Sequence, residues 1–219
     1  MAEESFKGLI QVYTGDGKGK TTAALGQAIR ACGQGLKVIF IQFLKSQEGG
    51  EHNFAARFKL QTDCRGRCGG LAMTGEREPA GNEAILPQTQ KRHCEEPAGD
   101  EAILPFEIIQ FGKGDLFQKS EQELLQETTE AYQFAQKALV SGRYDLVILD
   151  EIFIAHWRGL LRLQQLLDLM QLKPGNVELI MTGRKAPQEV VKRADLVTEM
   201  LVIKHPFSEG VQQRKGIEY

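Results

Sequence analysis

The chain has 219 residues, of which 42% are hydrophobic and 26% are charged, so it is long enough to bury one substantial α/β core. Its formal net charge of -2 gives no electrostatic reason to expect nucleic acid or a membrane surface as a partner. Because its four cysteines are too few for a disulfide scaffold, and no apolar run approaches the roughly 18 residues of a membrane span or resembles a signal peptide, we expect a soluble, cytoplasmic protein with reduced thiols.

The chain begins with a predicted strand, loop, helix and second strand. The apolar residues 8–13 are typical of a short strand, which ends at a glycine-rich loop. Small and apolar residues recur at helical spacing over 23–31, and Gly33 and Gly35 favour the end of that helix. A second apolar run, 37–44, predicts the next strand. Together these residues predict a β-loop-α-β unit.

A stretch of different composition, about 62–105, follows this unit. Within it the decapeptide at 78–87 returns at 96–105 and differs only in Asn82 against Asp100. Two copies do not make a repeat fold, because a solenoid needs more stacked units to bury a shared core. The stretch holds four of the seven prolines and lacks a hydrophobic period, so we interpret it as an inserted, poorly ordered loop. The repeat suggests the hypothesis that a repetitive DNA element was translated into an older gene.

Strands and helices alternate again after the insert. A continuous apolar strand there, over 144–151, is of the kind that a parallel sheet buries on both faces. This alternation predicts one domain over 1–219, a three-layer α/β/α sandwich with a mostly parallel sheet, interrupted by the insert. The predicted elements are a strand at 106–111, a helix at 120–141, a strand at 144–151, a helix at 160–172, a strand at 177–183, a helix at 187–194 and a strand at 196–203.

The glycine-rich loop between the first strand and helix carries the strongest functional signal. Glycines there allow backbone N–H groups to face an anion, and the helix N-terminus adds partial positive charge. Lys20 is placed to neutralise phosphate oxygens, and the Thr21 hydroxyl to hold Mg²⁺. Thr14 stands where the general phosphate-loop pattern has its first glycine, and the alternative is a glycine-rich turn without a ligand. The predicted binding residues are Gly15, Asp16, Gly17, Lys18, Gly19, Lys20, Thr21 and Thr22.

A second signal is the pair of carboxylates, Asp150 and Glu151, that closes the apolar strand. One of them is placed to bind Mg²⁺ opposite Thr21, because parallel strands bring their carboxyl ends to one edge of the sheet. By itself the pair is also compatible with a strand that ends in surface charges. With the loop upstream, it predicts a magnesium site formed by Thr21, Asp150 and Glu151.

The residues 8–42, 144–151, 181–184 and 204–219 together resemble the P-loop type of corrinoid adenosyltransferase, also called cob(I)alamin or cob(I)yrinic acid a,c-diamide adenosyltransferase. The loop TGDGKGKTT and the ending KHPF…KGIEY carry the resemblance. It implies a P-loop fold of the RecA-like type. It also implies an enzyme that transfers the 5′-deoxyadenosyl group of ATP to a Co(I) corrinoid and releases triphosphate, to form adenosylcobalamin or its precursor.

That implied reaction fits what the sequence contains. Co(I) is a strong nucleophile and triphosphate is the leaving group, so the protein has to position the reactants and stabilise charge. The resemblance implies that the loop and Mg²⁺ hold the triphosphate, that Lys20 and Glu151 are catalytic, and that Asp150 and Glu151 attend the metal. It further implies a homodimer and a cellular reductant, such as a reduced flavoprotein, that supplies Co(I).

Two other residues are implicated by the resemblance. The family segment G-x-G-F-x-W, which covers the corrinoid, reads GKGDLF from Gly112, so that Phe117 stands where a tryptophan is common and Asp115 replaces a phenylalanine. Phe117 is equally compatible with a core contact. Arg184, after the strand at 177–183, is placed either toward the nucleotide or a partner subunit, or in a surface turn.

Two other functions remain open from the sequence. One is a RecA-like ATPase that acts on a macromolecular partner, with Glu151 polarising the attacking water. The other is a nucleotide- or corrinoid-binding protein that the insert has inactivated. Since loop-closure entropy grows slowly with loop length, roughly forty extra residues cost only about 1–2 kcal/mol, and we expect a folded protein.

Overall fold

The structure is a computed structural model, and it describes residues 7–45, 49–56, 106–112, 118–212 and 214–217. The predicted insert at about 62–105 lies outside the described residues, and so does Phe117. No helix among the described residues is long and apolar enough to cross a membrane.

Within the described residues, six strands form one sheet, and every strand pair in it is parallel. The order across the sheet is β3-β2-β4-β5-β1-β6. A crossover connection is required between parallel neighbours, and helices supply several of them. The strands are β1 Ile10–Thr14, β2 Val38–Gln42, β3 Phe106–Gln110, β4 Leu146–Asp150, β5 Glu178–Thr182 and β6 Leu196–Glu199.

Five α-helices have defined bounds in the described part of the chain, and residues 50–56 are helical as well. The longest begins after Ser120, whose side chain and that of Glu123 cap each other's backbone N–H groups. Gly142, at φ 67°, follows its end. The helices are α1 Lys20–Gly33, α2 Glu121–Val140, α3 Ile152–Trp157, α4 Leu163–Leu172 and α5 Gln188–Arg193, followed by a 3₁₀ turn at Pro206–Glu209.

The helices cover both faces of the sheet, and β4 shows how. Its residues are all buried, and successive side chains point to opposite faces. Leu146 and Ile148 pack in one cluster with Ala28 of α1, whereas Val147 and Leu149 pack in another with residues of α2, α3 and α4. The predicted three-layer α/β/α sandwich is therefore confirmed, with an all-parallel sheet over the described strands.

The predicted elements match the observed ones apart from their ends and two additions. The helix α3 and the helical residues 50–56 were not predicted; α3 is only six residues long, and a single residue, Glu151, separates it from β4. The last strand is shorter than predicted and ends at Glu199. Beyond it, the Met200 N–H still donates to the carbonyl of Thr14, at 2.8 Å, so the chain continues beside β1.

Candidate active site

The glycine-rich loop joins β1 to α1 at the carboxyl edge of the sheet. Gly19, at φ 121°, is the N-cap of α1, and no side chain caps this helix. The first turn of α1 contains no acidic residue. The first N–H groups of an α-helix have no partner within the helix, and they carry the positive end of its dipole. The start of α1 therefore has the charge and the uncapped N–H groups that anion-binding helix termini have.

Glycine is required in the loop because the chain after β6 lies against it. A Cβ at Gly15 would lie 2.4 Å from the carbonyl oxygen of Met200, and one at Gly17 would lie 2.7 Å from the same atom. The Gly17 N–H donates to that oxygen at 2.7 Å. Gly17 thus packs against and donates to the backbone of Met200, which is a role that the sequence did not reveal.

Lys20 is held across the loop. Its side chain is only 5% exposed, and its Nζ donates to the carbonyl oxygens of Gly15 and Gly17, at 2.8 Å each. Burial lowers the pKa of Lys20, while the nearby Glu151 carboxylate opposes that shift. The Lys20 ammonium group therefore lies within the glycine-rich loop and is bound there by two backbone carbonyls.

Asp150 is fully buried, and four contacts from three side chains hold its carboxylate. The Thr21 hydroxyl lies 3.0 Å from Oδ1 and 3.2 Å from Oδ2. Thr182 donates to Oδ1 at 2.6 Å, and the Gln42 amide donates to Oδ2 at 3.4 Å. Burial raises the pKa of Asp150, and these donors, with the charge of Lys45, oppose the shift. The structure therefore brings Thr21 and Asp150 together, as the sequence predicts.

Glu151 follows Asp150 in the left-handed region of backbone conformation, at φ 60°. Its N–H donates to the Thr182 hydroxyl at 3.0 Å. Burial, and then the Asp150 carboxylate, raise the pKa of Glu151, whereas Lys20 and Arg184 lower it. Arg184 is exposed, yet it is close enough to influence the pKa of both Glu151 and Lys20.

The sequence model of the family described as ATP:corrinoid adenosyltransferase BtuR/CobO/CobP matches this chain in two stretches, residues 6–86 and 80–219. The chain belongs to this family. The first stretch contains the phosphate loop, and the second contains Asp150, Glu151 and Arg184.

Individual members of the adenosyltransferase family give the same result. The chain is 29% identical to the corrinoid adenosyltransferase of Pseudomonas aeruginosa, over 97% of this chain and 84% of that protein. It is 30% identical to the corrinoid adenosyltransferase of Escherichia coli K12, over 97% of this chain and 86% of that protein. It is 29% identical to the corrinoid adenosyltransferase CobA of Salmonella typhimurium, again over 97% of this chain and 86% of that protein.

This member of the adenosyltransferase family has a cavity of about 340 Å³ beside the loop. The cavity lies between α1, the helical residues 50–56 and the chain near its C-terminus. Lys18 Nζ donates to the carbonyl of Ile217 at 3.1 Å, so the end of the described chain lies against the loop. The lining residues include Thr21, Thr22, Ile29, Lys45, Glu51 and Ile217.

Lys45 and Glu51 form an ion pair at the wall of this cavity. Glu51 also accepts a hydrogen bond from the Gln42 amide at 3.2 Å, which connects the pair to Asp150. Although burial alone raises the pKa of Glu51, its bond to Lys45 lowers that pKa below the ordinary range. Lys45 is therefore neutralised by a carboxylate in this structure.

The sequence missed three parts of the site: Gln42, Thr182 and the backbone of Met200. Gln42 pairs in register with Asp150, and Tyr13 pairs with Thr182, so all four residues lie at one level of the sheet. The available signal was that the apolar runs of β4 and β5 each end in a polar residue, whereas Gln42 lies inside the apolar run 37–44 and gave no such signal. Of the predicted loop residues, Asp16, Lys18 and Thr22 are exposed, and the others are at least partly buried.

Proposed function

We propose that this protein transfers the 5′-deoxyadenosyl group of ATP to the Co(I) of a corrinoid and releases triphosphate. The observation that carries the proposal is the Thr21–Asp150 hydrogen bond of 3.0 Å at the mouth of the phosphate loop, in a chain of the ATP:corrinoid adenosyltransferase family. Phosphate loop and acidic strand end are thus assembled into one nucleotide site at the carboxyl edge of the sheet.

The reaction balances without a protein nucleophile. The Co(I) electron pair attacks the 5′ carbon of ATP, and a cobalt–carbon bond forms as the bond from that carbon to the triphosphate oxygen breaks. Triphosphate leaves with the electron pair of that bond, and cobalt ends formally as Co(III). Because Co(I) is itself the nucleophile, the protein accelerates the step by holding the two substrates in line and by stabilising the leaving group.

We assign to the loop the task of stabilising the negative charge on the leaving triphosphate. Lys20 is the first residue of α1, so its ammonium group and the helix N-terminus supply positive charge in the same loop. Lys20 is buried, and charges interact more strongly where water is excluded. Arg184 lies within electrostatic reach of Lys20, and we assign it to the same triphosphate. We assign Gly15, Gly19 and Thr22 to the same binding loop, with Asp16 and Lys18 at its exposed rim.

Mg²⁺ is the cation that the donor set fits best. A hydroxyl and a carboxylate are hard oxygen ligands, and Mg²⁺ in nucleotide sites commonly uses one or two protein oxygens together with substrate phosphates. Thr21 and Asp150 would hold the ion, with the Glu151 carboxylate beside them. When bound, Mg²⁺ neutralises phosphate charge.

The remaining assignments rest on the resemblance to the family. We propose a homodimer that acts in the cytoplasm and receives electrons from a reduced flavoprotein or a similar donor, with Phe117 on the corrinoid side of the site. We also propose one catalytic domain over 1–219 with an insert at about 62–105.

The test is anaerobic incubation of the purified protein with ATP, Mg²⁺ and chemically reduced cob(I)alamin. Loss of the Co(I) absorbance and release of triphosphate are followed together, for the wild type, Lys20→Ala and the matched control Lys192→Ala. Lys192 is an exposed residue of α5. Light-sensitive adenosylcobalamin and triphosphate from the wild type and Lys192→Ala, with neither from Lys20→Ala, is the expected result. Release of ADP and phosphate by the wild type would instead indicate an ATPase, and ATP binding without turnover would indicate an inactivated enzyme.

A further inference from the structure

Thr182 is the last residue of β5, the strand that lies between β1 and β4. The phosphate loop follows β1, and Asp150 ends β4, so Thr182 occupies the position between the two halves of the nucleotide site. Its side chain is 0% exposed. Its hydroxyl is engaged by two protein groups, and it acts on the site through them.

The Thr182 hydroxyl serves two partners at once. It donates its one proton to Asp150 Oδ1 at 2.6 Å, and it accepts the Glu151 N–H at 3.0 Å. Since the hydroxyl has a single proton, the acceptor bond from Glu151 leaves that proton for Asp150. The same side chain thus orients a carboxylate and the peptide group that follows it.

The bond to Asp150 fixes the rotation of the carboxylate. Oδ1 receives the shorter contacts, at 2.6 Å from Thr182 and 3.0 Å from Thr21. Oδ2 lies 3.2 Å from the Thr21 hydroxyl and 3.4 Å from the Gln42 amide. Thr182 makes the shortest of these contacts and lies on a central strand, so its hydroxyl sets the orientation of the Asp150 carboxylate toward Thr21.

The bond to Glu151 supports an uncommon backbone conformation. A left-handed φ of 60° is sparsely populated by residues with a side chain and persists where the surroundings impose it. Gly183, next to Thr182, permits the approach, because a Cβ there would lie 2.9 Å from the Cβ of Phe153 in α3. The end of β5 and the start of α3 are therefore in close contact around Glu151.

We propose that Thr182 is a positioning residue, whose hydroxyl sets the orientation of Asp150 and Glu151 toward the cation that accompanies the nucleotide. This inference rests on the proposed function, in that it assigns Thr182 to the same nucleotide site. Groups that orient metal ligands typically change metal affinity or activity roughly 10–100-fold when they are removed.

Three variants separate positioning from packing. Thr182→Val keeps the shape and loses the hydroxyl, Thr182→Ser keeps the hydroxyl and loses a methyl group, and Thr182→Cys keeps a weak donor of similar size. The matched control is Thr128→Val in α2, since Thr128 is 2% exposed and its hydroxyl has no hydrogen-bond partner among the described residues. Binding of a fluorescent ATP analogue is titrated with Mg²⁺, without corrinoid, beside urea unfolding and the turnover assay.

The expected result is that Thr182→Val raises the Mg²⁺ concentration for half-maximal analogue binding by about tenfold or more. Thr182→Ser should remain within about threefold of the wild type, because the hydroxyl is what matters, and Thr128→Val should be unchanged. If Thr182→Val does not fold, Thr182→Cys is used in its place. The Mg²⁺ concentration for half-maximal binding by Thr182→Cys should lie above that of Thr182→Ser and below the value expected for Thr182→Val.

A wild-type Mg²⁺ dependence in Thr182→Val or Thr182→Cys, or an equal defect in Thr182→Ser, would overturn the inference. The same holds if the wild type binds the analogue without any Mg²⁺ dependence. Because this binding measurement contains no corrinoid, it tests Thr182 even if the wild type fails to form adenosylcobalamin, an outcome that would defeat the proposed function alone.

Discussion

The Thr21 hydroxyl lies 3.0 Å from the Asp150 carboxylate, although the two residues are 129 positions apart in the chain. Thr21 is in the first turn of α1, and Asp150 is the last residue of β4. The helix α1 begins, and the strand β4 ends, at the carboxyl edge of the parallel sheet. The contact therefore joins the glycine-rich loop to the acidic strand end, the two nucleotide-binding signals of the sequence. It is the relationship on which the proposed magnesium site depends.

Loss of either partner should weaken Mg²⁺ binding. We expect Thr21→Val and Asp150→Asn each to raise the Mg²⁺ requirement of ATP-analogue binding by at least about tenfold. The double variant should raise the Mg²⁺ requirement by less than the product of the two single-variant factors, because both residues bind one ion. Thr129→Val, an exposed threonine of α2 whose hydroxyl donates to Leu125, is the control and should match the wild type. Independent, multiplicative effects would argue against a shared ion.

Alanine substitutions at two glycines should change the stability in opposite directions, because Gly17 lies against Met200 and Gly26 does not. Gly17→Ala places a Cβ 2.7 Å from the Met200 carbonyl oxygen, and we expect it to destabilise the fold by about 1–3 kcal/mol and to weaken ATP binding. At Gly26 in α1, an added Cβ would meet no described atom within 4 Å outside its own helix backbone, so Gly26→Ala should stabilise by about 0.5–1 kcal/mol. Urea unfolding measures both. Equal stabilities of the two variants would show that the loop does not depend on this contact.

Lys173 joins the start of β1 to the loop before β5. As the C-cap of α4, it donates through Nζ to the carbonyls of Gly8, Pro174 and Val177, at 2.9, 3.0 and 2.9 Å. Hydrogen bonds from a charged donor are worth about 1.5–3 kcal/mol, and we expect Lys173→Met to lose that much stability in urea unfolding. Lys137→Met, at an exposed site in the last turn of α2, is the control. A loss below about 0.5 kcal/mol, as for an ordinary surface change, would contradict this role.

Cys32 should react slowly with thiol reagents. It lines an apolar cavity of about 190 Å³ with Ile29, Phe54 and Phe106, and burial raises its pKa from 9.0 to about 11. At pH 8 the thiolate fraction is then about 100-fold below that of an ordinary thiol. A more basic thiolate is also a stronger nucleophile, which offsets part of the loss of thiolate. The rate of disulfide exchange at Cys32 should then be roughly tenfold below that of an ordinary thiol.

The measurement is disulfide exchange with an aromatic disulfide reagent between pH 7 and 10, in a variant with Cys64, Cys68 and Cys94 changed to serine. The rate should rise about tenfold per pH unit throughout, because every pH in the range lies below the pKa. The same protein unfolded in urea provides the reference and should level off near pH 9. A plateau below about pH 9.5 in the folded protein would contradict the raised pKa.

The candidate site was predictable where its residues are contiguous. Gly15 to Thr22 lie in one loop, whose glycine spacing and position between strand and helix indicate a phosphate site before any tertiary structure is known. Asp150 and Glu151 were predictable because they interrupt an apolar strand, and the parallel sheet then requires the two signals to meet at one edge. The roles of Phe117 and of the insert stay predictions.

The sequence by itself determined the alternation of strands and helices, the two-faced burial of the sheet and the location of the loop, because each depends on local periodicity and turn chemistry. The tertiary structure decided which strand lies between the loop and Asp150, and so placed Thr182 beside both acidic residues. It also decided that Met200 braces Gly17. These pairings depend on strand order and register, which join residues far apart in the chain and which local periodicity does not specify.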